Sequence, residues 1–88
     1  MKHIRIPFIY ADNCKHCQEA LQTLKIAVKK YSKITCNIVE FRYDSREALA
    51  IAVAQGIDDL PGFLIGTTVF KGKNYAEDKI LKALDECI

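Results

Sequence analysis

Two cysteines two residues apart, Cys14-Lys15-His16-Cys17, carry the densest chemistry in this sequence. Cys-x-x-Cys pairs serve zinc sites, metal shuttles, structural disulfides and thiol–disulfide exchange, and the spacing alone leaves these open. A zinc site needs about four ligands. The remaining cysteine and histidine donors are His3, His16, Cys36 and Cys87, none at a second paired spacing, and His16 lies between the two cysteines, badly placed for the same ion. A structural zinc site is therefore disfavoured and no metal ligand set is expected. A soft-metal carrier holding copper or zinc on Cys14 and Cys17 is the alternative to a redox couple.

The elements around the pair have to position it. Residues 3–10 are rich in isoleucine and aromatics and predict a first strand. Pro7 has no amide for a ladder, which predicts a bulge or a well-paired part confined to Phe8 through Tyr10. After Ala11-Asp12-Asn13, the spacing of Ala20, Leu21, Leu24, Ala27, Val28 and Tyr31 predicts a helix over 14–31, capped by Asp12 or Asn13. Residues 34–41 alternate and are β-branched, a second strand. Asp44-Ser45-Arg46-Glu47 opens a second helix that runs to Gln55 and stops at Gly56. Short strands over 63–65 and 68–71 turn at Gly66-Thr67, and Asn74-Tyr75-Ala76-Glu77 caps a last helix with Ile80, Leu81, Leu84 and Cys87 inward. The order β-α-β-α-β-β-α makes the first two strands parallel and the later hairpin antiparallel. The expected architecture is one α/β domain over residues 1–88, a four-stranded mixed sheet with helices on both faces.

This placement sets the chemistry. With Cys14 in the first helical turn and Cys17 one turn on, the two sulfurs fall within disulfide reach. Unpaired amides and the positive end of the helix dipole favour a thiolate there, so Cys14 is expected to attack with a thiol held below a free cysteine's range. Cys17, deeper, is the expected resolving thiol. Lys15 and His16 add positive or protonatable charge that would stabilise the reduced form and make the disulfide a better oxidant.

Composition excludes several other classes. Half of the 88 residues are apolar, 27% are charged, and the net charge is +2 with scattered lysines, which gives no electrostatic case for nucleic acid or an anionic membrane. The longest apolar run, 48–54, is far short of the roughly 20 residues of a membrane helix. Lys2 and Arg5 precede an apolar stretch too short for a signal peptide, so the expected setting is the reducing cytoplasm, where permanent disulfides are rare.

The strand followed by Cys14-Lys15-His16-Cys17, with Leu60-Pro61 just before a hairpin and a final helix, resembles the thioredoxin superfamily, most closely its small glutaredoxin-like members. The resemblance spans essentially the whole chain and implies a thioredoxin fold. It implies a cis Pro61 whose loop lies against the active disulfide, and a Leu60 whose backbone binds a peptide or glutathione. It also implies a monomer that acts on protein disulfides without a cofactor and takes electrons from a dithiol reductase. The Cys-x-His-Cys pattern is similar to that of protein disulfide isomerases, where the histidine raises oxidising power. The chain departs from the family at four places. Phe8 stands where thioredoxins carry a buried acid, and Asn13 stands where they carry tryptophan. Gly62 follows the proline, and Lys71-Gly72-Lys73-Asn74 keeps at most one of the glycines with which glutaredoxins hold glutathione. Proton transfer from Cys17 then needs water or another group, with Lys15, His16 and Asp12 as candidates. Cys36 and Cys87 are read as small buried apolar residues.

Overall fold

A computed structural model describes residues 2–88, which form three helices and a four-stranded mixed sheet. The elements run β1 (Lys2–Tyr10), α1 (Lys15–Lys30), β2 (Ile34–Arg42), α2 (Arg46–Gln55), β3 (Gly62–Ile65), β4 (Thr68–Lys71) and α3 (Glu77–Glu86). The spatial strand order is β2-β1-β3-β4. β1 and β2 are parallel from Lys2↔Ile34 to Tyr10↔Arg42, whereas β3 is antiparallel to both β1 and β4.

Pro7 introduces no bulge: it pairs in register with Val39 inside a continuous ladder. The β3 side of β1 is paired only at Phe8 and Ile9, so Pro7 stands outside that antiparallel ladder.

The period-2 alternation of β1 divides the core. Ile6 and Phe8 face the larger cluster, with Ala20, Leu24 and Ala27 of α1, Phe63 and Ile65 of β3, Phe70 of β4, and Ile80, Ala83 and Leu84 of α3. Ile9 points to the other face, where it meets Ala48 of α2 and Ile57. Thus α1 and α3 share one face and α2 covers the other. Phe63 is the centre of a three-ring stack, 5.5 Å from Phe8 and 4.6 Å from Phe70 between ring centroids. Each of the two ring pairs adds about 0.5–1.5 kcal/mol beyond area burial.

The helix ends differ in part from the sequence expectation. Ser45 caps α2 by accepting from the Ala48 amide at 3.2 Å, and Gly56 ends it in the left-handed region at φ 67°. α3, however, begins at Ala76 without a side-chain cap; Asn74 instead accepts from Lys79 Nζ at 2.7 Å. Its first turn carries Glu77 and Asp78, whose charges suit the positive end of the helix dipole. At the start of β3 space is tight: a Cβ on Gly62 would lie 2.5 Å from Ile57 Cγ2.

Candidate functional site

β1 delivers the chain to the site. Past Tyr10, the loop Ala11-Asp12-Asn13 is tied back to β2 by the Tyr43 amide on the Tyr10 carbonyl at 2.7 Å and by Arg42 Nη1 on Asp12 Oδ2 at 2.9 Å. Arg42 also reaches Asp44 at 3.1 Å. Asn13 turns the chain at φ 55°, a conformation that asparagine tolerates better than most side chains. Neither Asp12 nor Asn13 caps α1. The cap is Cys14, whose Sγ accepts from the Cys17 amide at 3.2 Å. The predicted first-turn residue is therefore the N-cap itself, and its sulfur takes the place that a serine or aspartate oxygen fills in other helices.

Cys14 and Cys17 form a disulfide, with Cα atoms 5.2 Å apart. The two ends are unequal. Cys14 is half-buried at the helix mouth, while Cys17 is 3% exposed and packs in the core. A thiolate on Cys14 would meet one backbone donor and the positive helix end, both favouring the charged form.

Lys15 is exposed on the first turn. His16 is engaged. The Tyr75 hydroxyl donates to Glu19 Oε2 at 2.8 Å, and His16 Nδ1 lies 3.3 Å from the same hydroxyl and 3.8 Å from the same carboxylate. Because the tyrosine proton is committed to Glu19, Nδ1 must be the donor toward the hydroxyl oxygen. The Glu19 hydrogen bond, then burial, hold the Tyr75 hydroxyl above a free tyrosine's range. A positive charge on His16 is therefore shared with Glu19, which moderates its influence on the neighbouring sulfurs. Glu19 follows His16 by the three-residue step that brings helix side chains together, a local signal in the sequence, but Tyr75 is brought in only by the docking of α3.

The Leu60-Pro61 bond is cis, and Pro61 is buried. Gly62 pairs with Ile9, so the antiparallel register carries Pro61 to the end of the sheet at which β1 releases the chain toward Cys14. The loop is anchored by the Gly72 amide on the Pro61 carbonyl at 2.9 Å. Gly72 has φ 65°, and a Cβ there would come 2.7 Å from Asp59 Oδ2. The half-buried Leu60 does not hold a free amide: its N–H donates to Asp59 Oδ1 at 2.9 Å. A ligand using that donor has to displace Asp59.

Beside Cys17 a cavity of about 330 Å³ is lined by Phe8, Tyr10, Asp12, Gln18, Leu21 and Glu40, among others. Phe8 and Glu40 are register partners on β1 and β2.

Cys36 and Cys87 are free and only half-buried, short of the full burial expected of them. Cys36 pairs with Ile4, six residues before the end of β1, about 20 Å from the motif along the strand. Partial burial, then the neighbouring Cys87, push its thiol up, which suppresses its reactivity. Among the described residues no three His, Cys, Asp or Glu side chains gather as a metal site, and no helix is long and apolar enough to cross a membrane.

No family model matches this chain, and no curated protein matches its sequence. Solved structures match its architecture. One, "Structure of a malarial protein", superposes with a TM-score of 0.61 at 16% identity, covering 93% of this chain and 93% of that one. At that identity the likeness concerns the fold alone.

Proposed function

We propose that this chain is a thioredoxin-fold thiol–disulfide oxidoreductase whose working couple is Cys14–Cys17. The observation that carries the reading is the inequality of the pair: a half-buried cysteine capping α1, joined to a cysteine 3% exposed one turn deeper. The element order, the strand order β2-β1-β3-β4 and a cis-proline at the Cys14 end of the sheet support it.

In the reduced protein the Cys14 thiolate attacks one sulfur of a target disulfide. A Cys14–target bond forms, and the other target sulfur leaves as a thiolate. Cys17, as thiolate, then attacks the Cys14 sulfur. The Cys14–Cys17 bond forms, the remaining target sulfur departs, and two electrons have passed to the target. The Pro61 loop aligns the target backbone. The substrates are protein disulfides, a dithiol reductase restores the couple, and the working form is a cytoplasmic monomer.

The test is reduction of a protein disulfide under a dithiol donor. Cys14→Ser abolishes it, and Cys17→Ser traps the target on Cys14. Activity that survives Cys14→Ser refutes the proposal, and stoichiometric copper or zinc on protein purified under reductant favours the metal carrier instead. The reduction potential then fixes the direction of use: about −270 mV marks a reductase, and about −120 to −180 mV an oxidant or isomerase.

A further inference from the structure

Resolution by Cys17 requires a thiolate on a residue that is 3% exposed, and burial without a charge partner disfavours that form. Something must take the proton. Lys15 is exposed on the first turn, and His16 is committed at Nδ1 to Tyr75 and Glu19. Phe8 closes the β1 position beneath the pair to any acid–base role. The cavity beside Cys17 has two carboxylates on its wall, Asp12 and Glu40. Asp12 is held by Arg42 at 2.9 Å. Glu40 makes no ion pair among the described residues, and it stands directly across from Phe8 on the neighbouring strand.

We propose that Glu40 accepts the Cys17 proton through water in this cavity, so that the acid–base group of the site has moved from β1 to the adjacent strand β2. The inference rests on the redox reading of the Cys14–Cys17 couple. About 330 Å³ holds several water molecules, and Tyr10, Asp12, Gln18 and Glu40 supply their polar partners. The proton passes from the Cys17 sulfur to water and from water to the Glu40 carboxylate. The Cys17 electron pair forms the bond to Cys14, the Cys14–target bond breaks, and the departing target thiolate recovers the proton from Glu40. The other charged or titratable groups that line or flank the cavity are Tyr10 from β1, Asp12 from the loop between β1 and α1, and Arg42 two residues along β2. Glu40 acts through water on another residue, so it is a positioning group for the proton rather than a catalytic residue.

The experiment mixes the reduced full chain with oxidised glutathione across a pH series, quenches with acid, and follows the glutathionylated Cys14 peptide by mass spectrometry. Formation reads the Cys14 attack and decay reads the Cys17 attack, while Cys36 and Cys87 give separate peptides. Glu40→Gln should leave formation unchanged and slow decay by about tenfold or more near neutral pH. The deficit should vanish above a free thiol's range, about pH 8.5, where hydroxide suffices. Glu40→Asp restores part of the rate. A carboxylate acting by charge alone would disfavour the Cys17 thiolate, so its removal would speed decay. Unchanged or faster decay in Glu40→Gln overturns the role of Glu40 while leaving the couple intact. Decay in the wild type no faster than in Cys17→Ser overturns the redox reading itself, and this inference with it.

Discussion

A sulfur that caps a helix should make the reduced protein's stability depend on pH in a way that serine at the same place cannot. The perturbation is Cys14→Ser in a Cys17→Ser background, compared with that background alone under a phosphine reductant. A neutral cap at the Cys17 amide contributes about 1 kcal/mol, and serine keeps it. A thiolate adds a helix-end interaction of about 0.3–1 kcal/mol, up to ~2 where partly buried. It also turns a neutral hydrogen bond into a charge-assisted one, worth about 1 kcal/mol more. The protein that keeps Cys14 should therefore gain about 1–3 kcal/mol over Cys14→Ser once the thiolate is fully formed. A group whose folded pKa is depressed contributes its full stability above the unfolded value, about pH 8.5 for a thiol, and loses it as pH falls through the folded value. Thermal melts from about pH 5 to 9 should show the Tm of the protein that keeps Cys14 rising relative to Cys14→Ser by roughly 4–8 °C per kcal/mol. Cys36 and Cys87 are present in both proteins and cancel; Cys17, whose ionisation is coupled to that of Cys14, is replaced by serine in both. Parallel curves across the range would refute a charged cap at Cys14, and with it the physical basis for making Cys14 the attacking sulfur.

Two more outcomes follow from named contacts. Asp59→Ala frees the Leu60 amide from an internal hydrogen bond worth about 0.5–1.5 kcal/mol, so steady-state kinetics on a disulfide peptide should show KM lowered roughly two- to tenfold with kcat unchanged. The Tyr31 hydroxyl is pushed up to about 12 by partial burial, its 2.8 Å bond to Asp85, and the nearby Asp85 and Cys87 charges. Its folded pKa is raised, so its contribution is complete below about pH 10 and lost as pH climbs toward 12, and melts of Tyr31→Phe should lack that alkaline loss.

What the sequence disclosed tracks how local the cause is. The elements follow from period and stop signals: Ala20, Leu24 and Ala27 predict the buried stripe of α1, and Gly56 predicts the end of α2. The cap of α1 differs from the sequence expectation because oxygen-bearing Asp12 and Asn13 look like better acceptors than sulfur. Asp12 is drawn off by Arg42, a residue thirty positions away, and Asn13 is used for the turn. Asn74 fails as a cap for a similar reason, being claimed by Lys79. The reach of Tyr75 to Glu19 and His16 and the Glu40 wall of the cavity depend on which strands and helices become neighbours, and no short window of sequence contains both partners. The Leu60 amide is occupied by adjacent Asp59, but which donor an aspartate side chain serves is set by the conformation of the loop.

The crowding of Gly62 against Ile57 bears on how this protein could diversify. The position next to the cis-proline is closed by space rather than by backbone angle, since its Cβ would run into Ile57, itself packed with Ile9 and Ala48. A side chain cannot be gained there first. Ile57 would have to shrink beforehand, and that step leaves a hole beneath α2 before any new recognition is acquired. The route from this loop to one with a side chain after the proline crosses a fitness valley in either order. New specificity is more accessible through exposed Asp59, where one mutation changes what a ligand meets without disturbing the core, whereas Leu60 packs against the Ile9–Ala48–Ile57 cluster.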